Sequence, residues 1–202
     1  MTEKDYFKAV AMPDADWWQA LWPDPEAVLS ALGITADMTV VDLCCGDGYF
    51  TAPMCRLAAP ATGYAIDLDP DMLDRTRGRL RENGISNAVL IEADARALSG
   101  LVSEKAAFVL IANTFHGVPD QTGLSRGVAE ILAPQGRFAV VNWHARPREE
   151  TPVLGQPRGP ATELRMTPDA TAAVVEKAGF LPDSIIELPP YHYGAVFRKT
   201  NG

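Results

Sequence analysis

Short apolar runs alternate with helical patterns along this chain, and that alternation restricts its fold more than any other feature. Residues 39–44, Thr-Val-Val-Asp-Leu-Cys, read as a strand buried on both faces. Residues 64–67, 88–91, 107–111 and 138–141 repeat the pattern. Helical spacing lies between several of them. Phe50, Met54, Leu57 and Ala58 share one helical face, as do Met72, Leu73, Thr76 and Leu80. Asp69 and Thr167 each precede a proline, which predicts a capped helix start. Residues 120–132 present Leu124, Val128 and Ile131 on one face, and Pro134 and Gly136 are expected to break that helix. Two closing strands are expected at 184–188 and 193–198. Five β–α units and a closing pair predict an α/β fold. Its sheet should be seven-stranded, mostly parallel and doubly wound, with helices on both faces. In such sheets ligands sit beyond the carboxyl ends of the strands, where strand order reverses.

The chain of 202 residues suits a single domain, 1–202, with residues 1–23 as a lid or cover. That first stretch holds Tyr6, Phe7, Trp17, Trp18 and Trp22 among prolines, and reads as a helical lid laying aromatic rings over something. The formal net charge of −8 excludes a broad phosphate-reading surface, so nucleic acid is not expected as a partner. Arg75, Arg77, Arg79 and Arg81 alternate along a helix and read as its solvated face. No signal peptide and no membrane span are expected. The three cysteines, Cys44, Cys45 and Cys55, form no CxxC and no zinc pattern, so no metal is expected and a reduced cytoplasm fits.

The first strand runs into Asp42-Leu43-Cys44-Cys45-Gly46-Asp47-Gly48. Glycines there permit a tight turn and close approach of a ligand to the backbone. Asp67 ends the second strand about 20 residues on, the spacing of a carboxylate that accepts from ribose hydroxyls. Together these features predict an adenosine-containing ligand. A dinucleotide site wants a third glycine where this chain has Thr51, and Asp42 would face a pyrophosphate badly. An ammonium would be welcome there, and S-adenosylmethionine carries both an ammonium and a sulfonium.

The glycine segment resembles the first motif of the class I S-adenosylmethionine-dependent methyltransferases. Residues 65–73 resemble their second motif and Glu92-Ala93-Asp94-Ala95 their third. Residues 112–116 and 132–137 resemble the type-11, quinone-methylase-like subgroup. The resemblance covers residues 28–197, with one departure: Cys44 stands where many members have glycine. It implies a Rossmann-like fold and S-adenosylmethionine as cofactor. It implies that Asp42, Cys44, Gly46 and Gly48 surround the methionine moiety. Asp67 would hold the ribose, Leu68 would pack on adenine, Asp94 and the Ala95 amide would read its edge, and Asn113 would lie under the sulfonium.

Methyl transfer needs alignment, exclusion of water and, for some acceptors, a base. His116 follows the fourth strand and His144 the fifth, and both are catalytic candidates. His192 is a weaker one. Arg146, Arg148, Arg158 and Arg165 lie in or beside a proline- and glycine-rich loop at 146–165, and read as solvated charges or as a site for an anionic group. The expected partner is a small-molecule methyl acceptor, with the protein a monomer or homodimer. Methylation of a metalloid through the cysteines, and of a protein, stay open. A nicotinamide-dependent oxidoreductase and a non-catalytic S-adenosylmethionine sensor are the competing readings.

Overall fold

The computed structural model describes Phe7 and residues 15–200. Tyr6, a candidate lid residue, lies outside them. The strands are β1 (Val40–Leu43), β2 (Gly63–Asp67), β3 (Ala88–Glu92), β4 (Ala106–Ala112), β5 (Leu132–Trp143), β6 (Pro152–Val153), β7 (Gln156–Pro157), β8 (Phe180–Leu188) and β9 (His192–Lys199). The α-helices are α1 (Ala15–Leu21), α2 (Pro25–Ala31), α3 (Thr51–Ala58), α4 (Pro70–Glu82), α5 (Gln121–Ile131) and α6 (Pro168–Val175).

Seven strands form one sheet in the order β3-β2-β1-β4-β5-β9-β8. The first five are parallel, and β9 runs antiparallel to both neighbours. Strand order reverses between β1 and β4. Every residue of β1 is buried, as a central strand covered on both faces requires. Alternate residues of β4 serve opposite cores. Phe108 and Leu110 pack with Leu29 of α2 and Met54 of α3, whereas Val109 and Ile111 pack with Val128 of α5 and Val175 of α6. The sheet is therefore doubly wound.

Local signals placed the helix starts. Asp69 Oδ1 accepts from Asp71 N at 3.0 Å, and Thr167 Oγ1 accepts from Ala170 N at 3.1 Å, each just before a proline. Two expectations need correction. Residues 93–105, between β3 and β4, form turns and no helix, so that crossover is not a β–α unit. The helix does end ahead of Pro134, at Ile131, but β5 starts at Leu132 rather than at Phe138. Pairing with β4 begins at Leu132, and the extra residues are absorbed where Gln135 takes φ 62° and the register shifts between Ala106 and Phe108.

Gly48 takes φ +79°, and a Cβ there would stand 2.8 Å from Thr76 Cγ2 and 3.1 Å from Thr76 Cα. The turn thus lies directly on α4. Gly48→Ala should cost about 1–3 kcal/mol of stability, from left-handed strain plus overpacking against backbone. A denaturant midpoint indistinguishable from wild type would show that the turn has room to spare.

Candidate active site

A cleft of about 800 Å³ opens at the carboxyl ends of β1 to β5. Each strand delivers residues to it in spatial order. Ala93 to Arg96 follow β3, Asp67 ends β2 with Leu68 and Asp69 after it, and Asp42 lies in β1 with Cys44 to Gly46 after it. Ala112 to Thr114 and His116 follow β4, and Trp143 ends β5. Trp17 and Trp18 of α1, Phe7, and the loop from Arg158 to Ala161 form the remaining walls.

Asp67 is fixed from two sides. Gly46 N donates to its Oδ2 and Asp69 N donates to its Oδ1, both at 2.9 Å. The carboxylate therefore joins the glycine turn to the start of α4. Burial raises its pKa, against the lowering effect of those two amides. Gly46 is held from below as well, because Thr76 Oγ1 donates to its carbonyl at 2.8 Å.

Asp42 is 3% exposed and accepts from Thr51 Oγ1 at 2.6 Å. Thr51 is the residue that stands in place of a third glycine. It contributes a hydroxyl that steadies a buried carboxylate, a role its position in the motif did not reveal. Burial, together with repulsion from Asp67 and Asp47, pushes the Asp42 pKa up to about 7 despite that hydrogen bond. A buried carboxyl poised there invites a cationic partner.

Cys44 and Asn113 hold left-handed backbone, with φ 60° and 56°. Neither is glycine, so each costs of order 1 kcal/mol, less for the asparagine. Both line the cleft, one at the end of β1 and one at the end of β4. The Asn113 N–H donates to Val141 O at 2.8 Å, while its side-chain Oδ1 is buried with no hydrogen-bond partner. Burial raises the thiols of Cys44 and Cys45 well above their usual range and that of Cys55 to about 12. Protonated thiols are poor metalloid ligands. Among the described residues, no cluster of three His, Cys, Asp or Glu side chains could hold a metal ion.

Asp94 is already engaged. Arg96 Nε lies 2.9 Å from both its oxygens and Arg96 Nη2 lies 2.5 Å from Oδ2. This pairing depresses its pKa, and the Arg96 guanidinium also covers the Phe7 ring at 5.5 Å. Nothing in the motif pointed to Arg96. Ala95 and Leu68 line the cleft beside these groups; Gly48 does not, and serves the packing on α4.

The histidines separate. His116 sits on a short 3-10 turn, Phe115–Gly117, is 7% exposed and lines the cleft. His144 does not line it. Its Nε2 lies 2.9 Å from Glu187 Oε2 on β8, and its ring lies 5.0 Å from Tyr193. His192 is 1% exposed, wedged between Trp22 at 4.6 Å and Trp143 at 4.1 Å, with neither nitrogen partnered. Burial keeps it neutral, its pKa well below the usual value. It fills the core under α1 rather than the cleft.

The loop arginines also separate. Arg165 is 7% exposed, so it is not a solvated charge. It donates to the carbonyls of Pro160, Arg146 and Arg158 and to Thr151 Oγ1, at 2.8–3.2 Å, and lies over the Trp143 ring at 4.8 Å. It pins the loop. Arg148 and Arg158 line the cleft, and Arg146 does not. On α4, Arg79 likewise leaves the solvated face: its Nη2 pairs with Asp47 Oδ2 at 2.6 Å.

A family model described as a methyltransferase domain matches residues 40–136, the span from β1 into β5 that carries the glycine turn, Asp67, Asp94 and Asn113. This span, just under half of the chain, is similar to a methyltransferase domain. The chain is 26% identical over 136 residues to a demethylmenaquinone methyltransferase of Lactococcus lactis, covering 65% of this chain and 50% of that protein. It is 29% identical over 151 residues to a ubiquinone biosynthesis O-methyltransferase of Xanthomonas axonopodis, covering 68% and 59%. The chain thus spans about half to three-fifths of those relatives. In fold it is similar to a SAM-dependent methyltransferase of Aquifex aeolicus, with a TM-score of 0.76 over 89% of this chain and 91% of that one, at 21% identity. The cofactor named for that structural neighbour is the one the sequence motifs of this chain lead one to expect.

Proposed function

We propose that this chain transfers a methyl group from S-adenosylmethionine to a small, largely flat acceptor. The observation that carries the reading is the Asp67 carboxylate, fixed by Gly46 N and Asp69 N at the mouth of the glycine turn. Asp67 would hold the ribose, Asp42 and Asn113 the charged methionine end, and Asp94 with the Ala95 amide the adenine edge. When bound, the cofactor supplies a methyl group already activated by its sulfonium. The protein has left to orient the acceptor, exclude water and accept a proton.

Aromatic rings do the orienting. Trp17, Trp18, Phe50 and Trp143 wall the cleft, with Trp17 and Trp18 stacked at 5.2 Å and Trp17 tilted against Trp143 at 6.2 Å. Such walls favour a planar apolar body and shed water around it. The chain just past α1 is held in place where Tyr49 donates its hydroxyl proton to the Trp22 carbonyl. His116, one turn beyond Asn113, is the group that accepts the acceptor's proton.

Titration calorimetry with S-adenosylmethionine, S-adenosylhomocysteine and NAD tests the cofactor. Micromolar binding of the first two with none of the third is the expected result; the reverse overturns the reading. Once an acceptor is found by screening phenols, quinols, amines and thiols, His116→Ala should leave S-adenosylhomocysteine affinity within about twofold. It should lower turnover by about 100-fold, in the usual range for loss of a general base. Undiminished turnover would remove His116 from the chemistry.

A further inference from the structure

The charges along the cleft are sorted by strand. The carboxylates Asp94, Asp67, Asp69 and Asp42 stand at the ends of β3, β2 and β1. Arg148 and Arg158 stand on the loop that follows β5. Asp94 is neutralised by Arg96. Among the described residues, neither Arg148 nor Arg158 has a carboxylate partner.

Arg158 is built in rather than left over. Its carbonyl accepts from Arg165 Nη2 at 2.8 Å and from Thr151 Oγ1 at 3.4 Å, so its backbone is fixed by the pinned loop. Its neighbour Gly159 takes φ +83° against the face of Trp143, where a Cβ would stand 2.6 Å from the ring. That close approach directs the loop over the end of β5. The Arg158 guanidinium lies over the Trp17 ring at 5.5 Å. Its Nε is buried with no acceptor. Leaving that one N–H of a half-buried guanidinium without an acceptor costs stability in the free protein, so the site is poised for an anion. Arg148, tied through its Nε to the Gly159 carbonyl at 3.1 Å, brings a second positive charge to the same wall.

Strand order says whose anion it is. Resting on the function proposed above, the nucleoside end of the cofactor belongs over β2 and β3, and its methionine end between β1 and β4. The wall at β5, with Trp17 and Trp143, lies on the far side of the switch point from the ribose carboxylate. We propose that Arg158, assisted by Arg148, receives a carboxylate of the methyl acceptor, so that the acceptor is an aromatic acid. Its ring lies among the tryptophans, and a forked guanidinium, already stacked and lacking an acceptor, matches a carboxylate in two parallel hydrogen bonds.

The cofactor also has a carboxylate, and the test separates the two sources. Benzoate and its neutral counterpart benzamide are titrated against the full chain, alone and with saturating S-adenosylhomocysteine. The wild type, Arg158→Ala and Arg158→Gln are compared; the last keeps the stem and a donor if the first loosens the loop. Benzoate should bind the wild type at least tenfold more tightly than benzamide. Both variants should erase that preference, while S-adenosylhomocysteine affinity stays near wild type and Tm does not fall. Equal binding of acid and amide by the wild type, or a preference that survives both variants, overturns the proposal. A tenfold loss of S-adenosylhomocysteine affinity in the variants overturns it too, by giving the arginine to the cofactor's carboxylate. If the wild type binds no S-adenosylhomocysteine, the methyltransferase reading fails, while the benzoate comparison still decides whether Arg158 receives an acid.

Discussion

Asp67→Ala should weaken S-adenosylhomocysteine binding by at least about 100-fold. Two hydrogen bonds from ribose hydroxyls to a carboxylate are worth roughly 1.5–3 kcal/mol each when the acceptor is charged and partly buried. The substitution also withdraws the acceptor that Gly46 N and Asp69 N share, so the glycine turn loses its tether to α4. Binding and turn geometry would then fail together, and affinity alone would not tell them apart. A thermodynamic cycle with the 2′-deoxy analogue of S-adenosylhomocysteine does. Removing the hydroxyl should cost the wild type tenfold or more and cost Asp67→Ala nothing. Equal costs in both proteins would take Asp67 off the ribose, leaving it as the brace of the turn.

Asp67 was legible in the sequence because its signal is short-range and chemical: a strand, a glycine turn and a carboxylate at fixed spacing. The strands were legible for a similar reason. Val40 to Leu43 is apolar enough to be buried on both sides, and only a central strand needs that. Asp69-Pro70 and Thr167-Pro168 set helix starts through contacts within three residues. What the sequence concealed depends on tertiary partners. The extent of β5 depends on a bulge opposite Ala106, and no local pattern encodes a register. His116 and His144 carry the same signal, each just after a central strand. A one-turn 3-10 segment takes the first into the cleft, and Glu187 from the distant β8 engages the second. Arg165 and Arg158 look alike as loop charges until the loop closes on Trp143. One then satisfies three carbonyls and a hydroxyl, while the other faces the cleft. Thr51, read as the absence of a glycine, is a hydrogen-bond donor whose acceptor lies nine residues back.

That donor leads to the second large effect, in which stability and binding move in opposite directions. The pKa of Asp42 rises on folding from an ordinary 3.8 to about 7, chiefly through burial. A group whose pKa is raised by folding stabilises the fold fully below its unfolded value, and that stability drains away as pH climbs to the folded one. In the free protein, Asp42 therefore costs stability progressively between pH 3.8 and 7. At about 1.4 kcal/mol per pKa unit, the charged form costs on the order of 4 kcal/mol above that window. Asp42→Asn keeps the shape and an acceptor for Thr51 Oγ1 and removes the charge. The variant should match the wild type near pH 4 and exceed its Tm by several degrees at pH 8. It should also bind S-adenosylhomocysteine at least tenfold more weakly, because the amide offers the ligand's ammonium no opposite charge. In the wild type, a cationic ligand pulls the Asp42 pKa down, so binding near pH 6.5 should release a proton. Calorimetry in two buffers of different ionisation enthalpy reads that proton directly, and it should vanish in Asp42→Asn. Proton release that persists in the variant would move the ammonium contact to another carboxylate. A variant no more stable than wild type at pH 8 would mean that Asp42 is solvated enough to carry its charge without cost.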